Sequence, residues 1–144
     1  MAIKKQEFYE GAALHRLART GAIAGIQYSP PFFLVNDHFL VLFKYSTRTR
    51  SPWGFTFAPD EQALLKARAL ENHPLVIAMV CGSDGVAVVR YDAYLTIAAQ
   101  RTTALHVSCG RLHGKHYAIA GPDGDLARKI APSEWHQIFV GQED

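Results

Sequence analysis

The sequence is poor in cysteine: Cys81 and Cys109 are its two, and neither belongs to a CxxC pair. A cysteine-based zinc site therefore has no ligand set to build on. Both cysteines stand in apolar, strand-like runs and read as small reduced core residues. That favours a cytoplasmic setting, and a free pair over a disulfide. No apolar run approaches the roughly 18 residues of a membrane helix, so no membrane partner is expected. The first twenty residues carry Glu7, Glu10, Arg16 and Arg19 where a secretory signal has its apolar core. Excess charge is missing too. A formal net charge of +2 gives no chain-wide pull on nucleic acid, and any such binding needs a local basic patch. The Gly121-Pro122-Asp123-Gly124 turn is followed by no GK[ST], which excludes a phosphate loop there. No repeat, linker or low-complexity stretch interrupts the chain.

What is present is a globular composition. Hydrophobic residues make up 49% and charged residues 19%, enough apolar matter for a core in one domain spanning residues 1–144. Glu10, Ala13, Leu14 and Leu17 fall on one helical face within 4–19, and Thr20-Gly21 closes that helix. Ser29-Pro30-Pro31 imposes an extended approach to the next segment. Phe32–Val35 and Phe39–Tyr45 are apolar runs around Asn36-Asp37, the pattern of a hairpin. Trp53, Phe55 and Phe57 alternate with period two and predict a third strand. Pro59-Asp60-Glu61 opens a helix to about Leu70, which His73-Pro74 stops. Leu75–Cys81 and Val86–Tyr91 predict a hairpin, as do Leu105–Cys109 and His116–Ala120. Asp92 caps a short helix through Gln100, and Ser133 caps a last turn bearing Trp135 and Phe139. The order predicts an α/β (α+β) fold, a central mixed sheet flanked by helices.

Several residues stand out chemically. Glu10 shares a face with apolar residues, where a carboxylate needs a partner or a rim position. Lys44 shares strand parity with Leu40, Leu42 and Ser46, so it either snorkels at an edge or points into a polar cleft. Asp37 has the opposite parity and sits in the turn, where its ordinary role is to shape that turn. The stretch Lys44–Trp53 joins Lys44, Arg48 and Arg50 to four Ser/Thr hydroxyls and two aromatics. Such a mixture suits phosphate contacts, with Trp53 stacking on a base if exposed; its ordinary reading is a solvated loop with Trp53 anchored in the core. Arg111, His113, Lys115 and His116 form a second basic cluster. With His106 they also raise the option of acid–base ribonuclease chemistry, although no carboxylate accompanies them in sequence.

A helix with a glutamate, a hairpin with an aspartate, a strand ending in lysine, a helix and a further strand resemble the restriction-endonuclease-like, or PD-(D/E)xK, nuclease superfamily over roughly residues 5–90. The resemblance implies that Asp37 and Glu10 hold Mg²⁺ and that Lys44 orients or activates water beside a phosphodiester of DNA or RNA. It also implies a restriction-endonuclease-like core. Two positions depart from the motif: Leu42 stands where the second acid belongs, and Asn36 where the proline does. The expectation is therefore a nucleic-acid-acting domain with a degenerate motif, binding through Arg48, Arg50, Trp53, Arg111 and Lys115. The alternative is a non-catalytic module for a protein partner or homodimer, with an exposed apolar patch around Trp53, Phe55 or Trp135.

Overall fold

A computed structural model describes residues 2–140. The chain opens with α1 (Lys5–Thr20), which Gly21 ends in a left-handed conformation, φ 78°. Then come β1 (Ile26–Ser29), β2 (Phe32–Val35) and β3 (Phe39–Ser46). β4 (Trp53–Phe57) and α2 (Pro59–Ala69) follow, then β5 (Leu75–Cys81) and β6 (Gly85–Arg90). The remainder is α3 (Tyr91–Ile97), β7 (Leu105–Gly110), β8 (Ala118–Gly121), β9 (Gly124–Asp125) and α4 (Glu134–Val140).

These strands form two sheets. The first has the order β1-β2-β3-β5-β6 and is mixed, because β3 and β5 run parallel with Leu40 opposite Leu75 and Ser46 opposite Cys81. β5 (LVIAMVC) is buried along its whole length, as a central strand covered on both faces must be. The second sheet is antiparallel, β4-β7-β8-β9. The alternation of Trp53, Phe55 and Phe57 was thus a correct strand signal, but the strand leaves the central sheet and pairs with β7.

Parity on β3 divides the molecule. Phe39, Val41 and Phe43 face a core with Ala13 and Leu17 of α1 and Trp135 and Phe139 of α4. Leu40 and Leu42 face the opposite core, with Phe55, Phe57, Leu65 of α2, Tyr94 of α3 and Val107. The helices α1 and α4 therefore cover one face of the central sheet, and the second sheet with α2 and α3 covers the other. Phe32, Phe39, Phe55 and Phe57 are all fully buried. Each such ring stabilises the fold by about 2–3 kcal/mol through removal of apolar surface from water.

Local chemistry explains the turns. Asn36 and Asp37 both have φ 57°, as the two central residues of a turn of primed type demand; the turn closes on the His38 amide donating to the Val35 carbonyl at 3.0 Å, within a three-residue connection. Asn36 tolerates this because its side chain is anchored: its Oδ1 accepts from the Ala24 amide at 2.6 Å, and its Nδ2 donates to the Ala22 carbonyl at 2.8 Å. The short helix near Asp92 begins two residues earlier than the capping reading gave, with Arg90 at the cap position, and it stops at Ile97 rather than Gln100. β1 had no signal beyond the extended bias before Pro30; it exists because β2 offers it an edge, Ile26 opposite Val35.

Candidate nucleic-acid interface

Lys44, near the end of β3, does not reach either predicted acid. Its Nζ lies 2.9 Å from both carboxylate oxygens of Glu61 on α2, and 4.8 Å from the centre of the Phe57 ring. Glu61 in turn accepts the Ala58 amide at 3.2 Å, so one carboxylate both caps α2 and neutralises Lys44. The lysine is neither a snorkelling edge residue nor a free cation in a cleft; 16% of its side chain is exposed.

Glu10 belongs to the other face. Gln6 donates to its Oε2 at 2.6 Å and also to the Phe43 carbonyl at 3.4 Å, which places the pair against the outer side of β3. Burial pushes the Glu10 carboxyl above its ordinary pKa, while the Gln6 hydrogen bond partly offsets that shift. Asp37 sits before the first residue of β3, beside a hollow lined by Ala24, Gly25, Ile26 and Leu34. Asp37 and Phe43 are six positions apart along the turn and β3, up to about 20 Å of extended chain. The expectation that Glu10, Asp37 and Lys44 converge is therefore corrected. Strand parity puts the lysine through the sheet from Glu10, and strand length keeps Asp37 at the far end. Glu10 and Asp37 do not fit a shared Mg²⁺ site. Among the described residues, no group of three or more His, Cys, Asp or Glu is placed to hold a metal ion.

The two basic segments do meet. β3 and β5 end side by side, and three connections gather beyond them: residues 47–52, 82–84 and 111–117. The Arg111 amide donates to Ser51 Oγ at 2.8 Å, joining the first connection to the third across 60 positions of sequence. Gly82 binds the same assembly. Its amide donates to the Ser46 carbonyl at 2.9 Å, and its φ of 54° and the lack of a Cβ let the Arg48 carbonyl lie directly on it. The Trp53 indole donates to that same carbonyl at 3.0 Å. Trp53 is 3% exposed, so it holds the basic loop from beneath and does not present a stacking face.

Asp84 is the acid of these three connections. Its Oδ2 accepts from Arg111 Nη1 at 2.7 Å and from the Tyr117 hydroxyl at 2.7 Å, and the Arg111 guanidinium lies 5.2 Å from the Tyr117 ring centre. Burial opposes ionisation of Asp84. The hydrogen bonds from Tyr117 and Arg111 together outweigh it and hold the carboxyl below the usual aspartate range. For Tyr117, burial and then the bond to Asp84 push the phenol well above its ordinary pKa. Gly85 leaves the room this requires, since a Cβ there would meet the Tyr117 hydroxyl at 2.6 Å. Arg111 is thus a structural cation, whereas Arg48, Arg50 and Lys115 are exposed at the rim. A hollow of about 240 Å³ between α1 and the 82–85 turn adds Arg16, whose charge also lowers the Asp84 pKa.

Sequence reasoning missed Gly82, Asp84 and Tyr117, and the partners of Ser51 and Glu61. Asp84 lies between the predicted strands Leu75–Cys81 and Val86–Tyr91, and nothing local tied it to Arg111. The histidines do not gather: His106 Nδ1 lies 3.4 Å from Thr56 Oγ1 in mid-strand, and β7 must run four more residues, about 13 Å, before the turn with His113 and His116 begins. No helix among the described residues is long and apolar enough to cross a membrane. Comparison of the chain with protein-family models, with curated proteins and with solved structures returned no match.

Proposed function

We propose that this chain is a nucleic-acid-binding domain that holds the phosphodiester backbone on the basic rim formed by residues 47–52 and 111–117. The observation that carries the reading is the Arg111–Ser51 hydrogen bond of 2.8 Å, which brings Arg48, Arg50 and Lys115 to one end of the molecule. Neither connection contains an acid, and Asp84 of the adjoining 82–84 turn is occupied by Arg111 and Tyr117. Phosphate contacts need that local excess, because the chain as a whole is nearly neutral. With Trp53 buried, recognition falls to charge and hydroxyl groups rather than to base stacking, and sequence preference should be weak.

A restriction-endonuclease-like core is part of the proposal. It is supported by the order α1-β1-β2-β3-β4-α2-β5, in which β4 joins the second sheet, by β3 running parallel to β5, and by α1 and α2 lying on opposite faces of the central sheet. With Lys44 bound to Glu61 and the acids apart, the reading is a binder rather than a Mg²⁺-dependent nuclease. Cysteine usage supports a cytoplasmic setting.

Fluorescence anisotropy with labelled single-stranded and duplex oligonucleotides, titrated over a salt series, tests this. Binding should weaken steeply with salt. The triple variant Arg48→Glu/Arg50→Glu/Lys115→Glu should lose at least about tenfold in affinity and flatten the log–log salt slope by roughly two to three. No binding at low salt, or equal binding by the variant, overturns the reading. Mg²⁺-dependent cleavage that disappears in Lys44→Ala overturns its non-catalytic part.

A second reading, association with a protein partner or a second copy, is favoured by one observation. The edge strand β1 exposes Ile26 (44%) and Tyr28 (61%) side by side on one face. The apolar patch expected near Trp53, Phe55 or Trp135 is absent because all three are buried. A concentration-dependent mass in solution, abolished by Tyr28→Lys, would favour this reading.

A further inference from the structure

We propose that Cys81 and Cys109 form a dithiol–disulfide pair whose oxidation cross-links the two sheets beneath the basic loop. The two thiols come from different sheets, β5 and β7, and face each other with their sulfurs 3.8 Å apart, both fully buried. Cys81 Sγ also lies 3.5 Å from the Met79 carbonyl. A sulfur–sulfur bond of about 2.05 Å requires an approach of less than about 2 Å. Glycine follows each cysteine at the end of its strand, Gly82 after Cys81 and Gly110 after Cys109.

The pair also sits where a cross-link would have a consequence. Gly82, next to Cys81, carries the Arg48 carbonyl. Trp53, paired in register with Cys109, donates its indole N–H to that carbonyl. Joining the two cysteines therefore ties together both supports of the loop that presents Arg48 and Arg50.

The oxidant is a small-molecule disulfide. One protein thiolate attacks a sulfur of that disulfide and expels one small thiolate, leaving a mixed disulfide. The second protein thiolate attacks the protein-bound sulfur and expels the second small thiolate. Two protein S–H bonds and the oxidant S–S bond are lost, and one protein S–S bond and two small-molecule S–H bonds are gained. The hydrogen bond to Cys109, then burial, push the Cys81 thiol well above its ordinary pKa, so the folded pair reacts slowly and only through local opening. The inference does not rest on nucleic-acid binding and is measured without it.

The experiment incubates the reduced chain with oxidised glutathione to equilibrium, then quenches, denatures and alkylates it for intact mass and non-reducing peptide mapping. The expected product is a monomer about two mass units lighter, with no alkylated cysteine and a Cys81–Cys109 linked peptide. Its Tm should rise by about 5 °C or more, because the cross-link closes a segment of roughly 28 residues. Tryptic cleavage after Arg48 and Arg50 should slow in the oxidised chain, and oxidant should leave the cleavage rate of Cys109→Ala unchanged. Two alkylated cysteines at equilibrium, stable mixed disulfides, or a disulfide only between molecules overturns the proposal. If the wild-type cross-link forms with loop cleavage unchanged, the claim that it restrains the loop fails. The wild-type measurement decides the cross-link even if the variant does not fold.

Discussion

Lys44–Glu61 and Asp84–Arg111–Tyr117 both fasten the central sheet to the layer beyond it, and they differ in what they leave free. At the first, a lysine on β3 meets a helix-capping carboxylate with both oxygens at 2.9 Å and covers the Phe57 ring. The two charges are spent on each other. At the second, one aspartate oxygen takes two donors, a guanidinium and a buried phenol, and the exposed cations around them keep their charge for solvent or ligand. A lysine in the right strand is thus made structural by one neighbouring acid. A basic loop keeps its cations exposed by being held from below.

That comparison can be broken experimentally. The largest effect is expected for Gly82→Ala, because a Cβ meets the Arg48 carbonyl and φ is 54°. Urea denaturation should show a loss of about 3 kcal/mol or more. The loop should also become more sensitive to trypsin; a variant as stable as wild type would mean the loop is not seated on Gly82.

Asp84→Asn comes next, costing about 1–2 kcal/mol near neutral pH through loss of its charge-assisted hydrogen bonds. The pH dependence fixes the cause. The folded Asp84 pKa lies below the unfolded value of about 3.9, so its contribution is present above that value and is lost as pH falls through the lower folded one. The gap between wild type and Asp84→Asn should therefore close in acid, and a gap independent of pH would show that packing rather than charge is responsible. Smallest is Lys44→Met, expected within about 1 kcal/mol of wild type, since Glu61 is partly solvated and methionine can cover Phe57. Nucleic-acid affinity should not change in that variant; a large loss would move Lys44 from the structural side of the comparison to the functional one.

Legibility in sequence followed the range of the interactions. The period-two pattern of Trp53, Phe55 and Phe57 and the apolar runs around Asn36-Asp37 marked strands correctly, because burial on one face writes itself into neighbouring letters. Both basic segments were legible as clusters, and Lys44 as an oddity in an apolar run. Their fates were not. Trp53 looked the same whether it stacked on a base or propped a carbonyl, and Glu61 looked like an ordinary helix-capping acid.

By itself, then, the chain of letters determined the order of the main helices and strands, though not β1 or β9, the face that Lys44 shares with Leu40 and Leu42, and the local excess of positive charge in two loops. Only the tertiary structure decided that β4 leaves for a second sheet, that Lys44 meets Glu61, and that Ser51 and Arg111 touch across 60 positions. The physical reason is that helix and strand periodicities are set within a few residues. Which strand accepts which partner, and which charge finds which counter-charge, depends on how two layers pack over a shared core.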